Sequence, residues 1–572
     1  MYRSKHKAKE RSVVPTMTQK GDGINGICAI VRNGAQTTSK SEATSSNILN
    51  PKEITRNPQN SFNLNFTRAT PPHVARSMAS TMPSSRLLRT GGNTVNSRQT
   101  RYITSQAAAT TKHDGKLTIH VNVAHVIADS KGMELLCKRI EERISHKLTQ
   151  VAKLRATYGN VKLGDITVSQ VLGGMRDMIA INCETSQLDP NCGITYRGLT
   201  MQEVLERLPA HTQGSKCPNA ESVLWLLLTG QIPSEKEMEM LSKDIGRRAK
   251  VQEHVYKVID QLPNETHPMT QYIVAVTAMQ TESVFSKAYK NKSYNKETSW
   301  KLILEDALNL IAKNALIVGY IYRRSFVDKT IKDGKGMIYN PNEDYAANVA
   351  RLVGIDTPEF KDLMRLYITA HADHEGGNVS AHSALLIGSA LSDPYLSFAG
   401  ALAGLSGPLH GLANQECLSW VENMTRELRG QDINVETVTK FAQETLKKGQ
   451  VIPGYGHAVL RVVDPRHTAF LEFAHKRFPS DPLIKILDVC MEAIPPVLAA
   501  TGKVKSPHPN VDCSTGIILA HFGIKTPEIY TVFFGMSRAL GVLAQLVWAR
   551  ALRMPIERPK SHTLDHLEEK CK

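Results

Sequence analysis

Apolar positions along most of this chain repeat at helical spacing. Leu136, Ile140, Ile144, Leu148 and Val151 recur every three or four residues, which puts them on one helix face. The same period returns over 300–322, 359–370, 435–448 and 483–498. Residues 222–228 read as a helix stopped by Gly230. Strand-like alternation is brief, with 116–123 as the clearest run. No repeat of fixed period occurs. The pattern predicts an all-α body that starts near Gly115. The most apolar late window, 530–551, has the length of a membrane span but carries Arg538 near its middle and Gln545. A central Arg is costly in lipid, so this window predicts a buried helix and no membrane insertion.

Charge separates the body from what precedes it. The chain has 572 residues and a net charge of +16. Residues 1–113 hold 17 Lys/Arg against 4 Asp/Glu, which leaves only +3 for residues 114–572. From Ile54 to His113 there is no acidic residue, and Ser, Thr and Asn are frequent. Arg-rich, Ser-rich, acid-poor composition marks a mitochondrial transit peptide, because a matrix-negative potential draws cations inward. The alternative is a disordered basic tail without an address. A nucleic-acid partner is not expected, because the leader has no aromatic interleaving and the body is nearly neutral. The nine cysteines form no C-x-x-C pair, so free thiols are expected rather than a disulfide scaffold or zinc ribbon.

Glycine and proline cluster around ionisable groups at 374–378 (HEGGN), 404–411 (GLSGPLHG), 453–457 (PGYGH) and 507–516 (PHPNVDCSTG). Such chain breaks are where binding chemistry concentrates. His410 follows Gly-Pro-Leu. At a helix N-terminus it would stay neutral and could donate a hydrogen bond to a developing oxyanion; otherwise it is a packed histidine at a break. His457 ends a loop that either folds over a ligand or lies on the surface, with Arg461 and Arg466 close behind to bind carboxylate or phosphate. His371, His374 and His382 do not match the metal-binding H-E-x-x-H pattern, and glycines follow them, so no metal is expected. Asp512 alone reads as a turn or cap residue, and Cys513 as packing. Arg538 in an apolar helix requires an anionic partner, structural or bound. Phosphate loops of the G-x-x-x-x-G-K-[ST] type do not occur.

Taken together, these stretches carry a resemblance. Gly407-Pro-Leu-His-Gly-Leu-Ala-Asn-Gln-Glu416, Pro453-Gly-Tyr-Gly-His-Ala-Val-Leu-Arg461 and Phe534-Gly-Met-Ser-Arg-Ala-Leu-Gly541 strongly resemble citrate synthase of the mitochondrial eukaryotic type. So do His374-Glu-Gly-Gly-Asn378, Leu391-Ser-Asp-Pro-Tyr395 and Glu557-Arg-Pro-Lys560. The likeness runs from about 131 to about 561.

The resemblance implies an all-α, two-lobed homodimer in the mitochondrial matrix. After the leader (1–113) come a large helical domain over 114–411, a small domain over 412–522, and a return to the large domain with a C-terminal arm over 523–572. It implies condensation of oxaloacetate with acetyl-CoA and hydrolysis of the citryl thioester, with no resident cofactor. By position, Asp512 is the base, His410 stabilises the enolate, and His457 polarises the oxaloacetate ketone. His374, Asn378, Arg466, Arg538 and Arg558 hold the substrate carboxylates, with Arg558 reaching the other subunit. Arg176 and Arg461 meet coenzyme A, with Lys296 acting across the dimer where the family has Arg. After the base this chain has Cys513-Ser-Thr-Gly516 instead of the family's Ala-His-Ser-Gly. The alternatives are 2-methylcitrate synthase, which uses propionyl-CoA, and a structural protein that retains the fold.

Overall fold

The computed structural model describes residues 109–113, 116–120, 131–211 and 215–572. The leader expected over 1–113 lies outside these residues, apart from one strand. That strand, Ala109–His113, pairs antiparallel with Lys116–His120. Regular structure therefore begins ahead of Gly115, where the apolar pattern starts it. A strand needs a partner for its ladder, and only the second of the pair shows clear alternation.

From Lys131 onward the described chain is mostly helix, and local chemistry sets the helix ends. Pro394, Pro465 and Pro482 each occupy the first turn of a helix capped by the preceding Asp. Proline leaves no N–H unpaired there, and the Asp carboxylate accepts from a backbone donor that follows. Helix Ala220–Thr229 ends at Gly230, which takes the left-handed conformation at φ 70°. The periodic stretches become helices Ser299–Tyr322, Pro358–His371, Val435–Lys447 and Pro482–Ala500.

Helix Tyr530–Ala551 forms the centre of the main core, packed against Ser299–Tyr322. The apolar span Pro527–Ala551 is 25 residues long, and its most apolar window is 94% buried. This is a core helix, as Arg538 requires. Gly541 lets it approach another segment backbone to backbone. Its N–H donates to the Ala372 carbonyl at 3.0 Å, and a Cβ there would lie 2.5 Å from that oxygen and from Asp373. A small antiparallel sheet, Ser186–Asp189, Gly193–Tyr196 and Leu199–Thr200, braces the same region. Ser186 stands opposite Tyr196, whose hydroxyl donates to the Thr369 carbonyl at 3.0 Å.

A second apolar cluster gathers Met424, Val438, Phe441, Ile452 and Ile494 from helices Ala413–Glu427, Val435–Lys447 and Pro482–Ala500 and the loop at 452. Helices Pro465–Arg477 and Asp512–His521 instead place Phe470, Ile517 and Ile518 in the main core. The N-termini of these two helices carry Arg466 and Asp512.

Candidate active site

Four chain breaks converge on one cavity of about 430 Å³. Its walls include His374, Asn378, His410, His457, Arg466, Asp512 and Arg538. Two of the breaks hold each other. Tyr455 forms an isolated β-bridge with Pro509, and the Asn510 side chain donates to the Gly456 carbonyl at 2.9 Å. This pairing brings His457 and Asp512 to the same side. Gly454 makes it possible: its φ is +81°, and a Cβ would meet Cys417 Sγ at 2.8 Å and Cys513 Cα at 2.9 Å.

Backbone donors set the histidine tautomers. His457 Nδ1 accepts from the Val459 and Leu460 N–H groups, both at 3.0 Å. In the neutral ring the proton therefore sits on Nε2. His410 Nε2 accepts the Ser380 N–H at 3.3 Å, and the Ser380 hydroxyl lies 3.0 Å away. Its proton therefore sits on Nδ1. Both rings are held neutral. Burial pushes His457 down to about 4, with Arg466 adding to the effect. Burial and then Arg538 push His410 to about 4. His410 lies in a turn three residues ahead of helix Ala413–Glu427, so it stands close to a helix N-terminus as its motif suggests. His374 packs 5.8 Å from His457, ring to ring. Burial, then Arg466 and Arg538, keep it well below the usual imidazole range.

Asp512 is the first residue of its helix rather than a loop residue, and Asn510 Oδ1 accepts its backbone N–H at 3.0 Å. Burial raises its carboxyl to about 6, partly offset by Arg466. It is a carboxylate kept poorly solvated close to neutrality, which suits a general base.

The cations are fixed differently. Arg466 Nε and Nη2 fork onto Asp464 at 3.0 and 2.7 Å. Asp464 Oδ2 also accepts the Val511 N–H at 3.3 Å, so this carboxylate ties Arg466 to the Asp512 turn. The Arg466 guanidinium holds Asp464 far below the usual carboxylate range against the pull of burial. Arg538 donates from Nε to the His371 carbonyl at 3.1 Å and stacks 4.8 Å from the Phe534 ring. Burial pushes its guanidinium down to about 10. Its Nη1 reaches Asn378 Oδ1 at 3.5 Å. Asn378 caps helix Val379–Ser389, and its amide nitrogen donates to the His374 and Glu375 carbonyls at 2.9 and 3.2 Å. Asn378 thus shapes the wall with its amide already engaged.

Four sequence candidates lie outside this cavity. Arg558 is exposed in the C-terminal segment, and Arg176 and Lys296 are exposed on the surface. Arg461 folds back, with Nη1 donating to the Val459 and Leu460 carbonyls at 2.7 and 2.8 Å. Sequence reasoning missed Asp464 and Ser380. The Asp-Pro dipeptide two residues before Arg466 was a cap signal that could have revealed the first. Ser380 had no signal, because its partner His410 is 30 residues away.

The family model "Citrate synthase, C-terminal domain" matches residues 174–560. "Citrate synthase 4, mitochondrial" of Arabidopsis thaliana is 49% identical over 437 residues, which cover 76% of this chain and 90% of that protein. "Citrate synthase, mitochondrial" of Saccharomyces cerevisiae is 45% identical over 452 residues, which cover 79% and 92%. The solved citrate synthase of Pyrobaculum aerophilum superposes with a TM-score of 0.59 at 26% identity, covering 70% of this chain and 95% of that one. That of Thermoplasma acidophilum, solved as a ternary complex with carboxymethyl coenzyme A and oxaloacetate, gives 0.58 at 23% identity, covering 69% and 96%. The all-α body is the fold of these enzymes, and the chain belongs to the citrate synthase family.

Proposed function

We infer that the protein is a citrate synthase that condenses oxaloacetate with acetyl-CoA and hydrolyses the citryl thioester to citrate and coenzyme A. One observation carries the assignment of roles. A poorly solvated carboxylate, Asp512, shares a cavity with two neutral histidines, each with its N–H left free by a backbone donor on its other nitrogen.

A thioester α-proton is too weakly acidic for a carboxylate to remove unaided. Asp512 takes the methyl proton while the His410 Nδ1–H hydrogen-bonds the thioester oxygen, so the enolate forms against a donor already in place. The enolate carbon attacks the oxaloacetate ketone, whose oxygen accepts the proton from His457 Nε2. Arg466 and Arg538 bind the two carboxylates, with His374 between them. Water then attacks the citryl carbonyl and the thiol of coenzyme A leaves. Oxaloacetate binding draws a small domain over 412–522 toward the large domain over 114–411 and completes the thioester site. Arg558 serves the partner site of a homodimer, and Arg176, Arg461 and Lys296 meet coenzyme A. The reading needs no resident cofactor. The mitochondrial names of the plant and yeast relatives and the acid-free leader support the matrix as its location.

Thiol release by the full chain tests this, with acetyl-CoA or propionyl-CoA, each with and without oxaloacetate. Release that requires oxaloacetate and favours acetyl-CoA is the expected result. A preference for propionyl-CoA makes the protein a 2-methylcitrate synthase. No release from folded protein favours a structural role.

A further inference from the structure

Away from the active-site cavity, a smaller one of about 240 Å³ is lined by Arg143, Lys147, Arg197, Glu184, Ser186 and Thr195, among others. Three cations here face a single carboxylate. Glu184 pairs with Lys147 at 2.8 Å, which leaves Arg197 Nη1 at 3.8 Å from the same oxygen. Arg197 cannot turn to solvent, because its side chain is 4% exposed. Its Nε and Nη2 both donate to the Leu227 carbonyl, at 2.9 and 2.7 Å, and its guanidinium lies 4.7 Å from the Trp548 ring. Burial and then Arg143 push this guanidinium down to about 10, the response of a buried cation beside another cation. Arg143 contributes its own charge while donating to the Gly230 carbonyl at 3.1 Å. Asp373 lies behind Ser186, but its carboxylate is occupied by Thr185, Ser186, Gln545 and the His374 N–H.

We propose that this cavity is an oxyanion site that takes a phosphate group, held by Arg143, Lys147 and Arg197. Its lining holds three cations against one carboxylate, and a net positive charge remains when Asp373 behind it is counted, so guanidinium and ammonium donors are left to suit a tetrahedral oxyanion. The volume accommodates the phosphate group but not a nucleotide. The site is coupled to the active-site wall through Ser186, whose hydroxyl donates to Asp373 at 2.8 Å and accepts the Glu375 N–H at 2.7 Å. His374 lies between those two residues.

Two sources present the same group, the free ion and a small phosphomonoester. Thermal unfolding of the full chain at fixed ionic strength compares inorganic phosphate, glycerol 3-phosphate and chloride. At saturation the bound anion raises the Tm by about 2 °C over chloride. Lys147→Gln and Arg143→Gln each abolish the rise, whereas Lys153→Gln on the same helix keeps it. A rise with phosphate assigns the free ion, and a rise with glycerol 3-phosphate alone assigns the ester. Equal Tm in all three anions, or a rise that survives in both Lys147→Gln and Arg143→Gln, overturns the proposal. The readout is independent of turnover, so its failure leaves the citrate synthase assignment untouched.

Discussion

The two walls of the active-site cavity are built on different plans. On one side Arg538, Asn378 and His374 are tied to the main core: Arg538 to the His371 carbonyl, Asn378 to its own helix cap, and His374 to the turn that meets Gly541. On the other side His457 comes from a loop, and Arg466 and Asp512 come from the first turns of two helices; their N-terminal segments are tied to each other through Asp464, Asn510 and the Tyr455–Pro509 bridge. The first wall is an anchored set of polar and cationic groups. The second is a set of groups that share their supports.

Substitutions separate the two plans. Asp512→Ala removes the proposed base and should lower turnover on the order of 10³-fold, with oxaloacetate binding retained by calorimetry. Lost binding would mean that Asp512 belongs with the oxaloacetate-binding groups. Arg538→Leu removes an anchored cation and should weaken oxaloacetate binding on the order of 100-fold. An unchanged affinity would take Arg538 out of the pocket.

The pH profile is a gentler probe of the second wall. Asp512 must be ionised to act, and burial raises it to about 6, so kcat/KM should fall as pH drops through that value. His410 and His457 lie near 4 and stay neutral throughout that window, so they add no limb there. An acid limb near 4 instead of 6 would remove Asp512 as the base. The smallest effect is on stability. Gly454→Ala puts a Cβ 2.8 Å from Cys417 Sγ at a φ of +81° and should cost about 1–3 kcal/mol. Gly449→Ala has a similar φ of +75° but meets nothing within 4 Å, so it should cost only the backbone strain, about 1 kcal/mol. Equal losses in denaturant unfolding would show that the packing of the loop on the two cysteines is unimportant.

The anchored wall was the more legible from sequence. Arg538 stands out because a charge in an apolar helix requires a partner, and HEGGN stands out by its glycines. The supports of the second wall were harder to see. Asp464 reads as a helix cap, which it is, and its second task with Arg466 and Val511 depends on how the loops meet. The bridge from Tyr455 to Pro509 spans more than fifty residues, and local pattern carries no trace of it. Positions of half-buried helices such as Val435–Lys447 followed from periodicity because burial on one face dictates them. The first hairpin strand did not, since its residues show no strong alternation.

Arg538 also bears on how the chain reaches its folded state. Before the core assembles, Pro527–Ala551 is a free apolar segment long enough to cross a bilayer. A guanidinium at the middle of such a segment opposes lodging in lipid by about 2.5–3.5 kcal/mol. The arginine that lines the cavity of the finished protein therefore also works against an unfinished one being retained in a membrane.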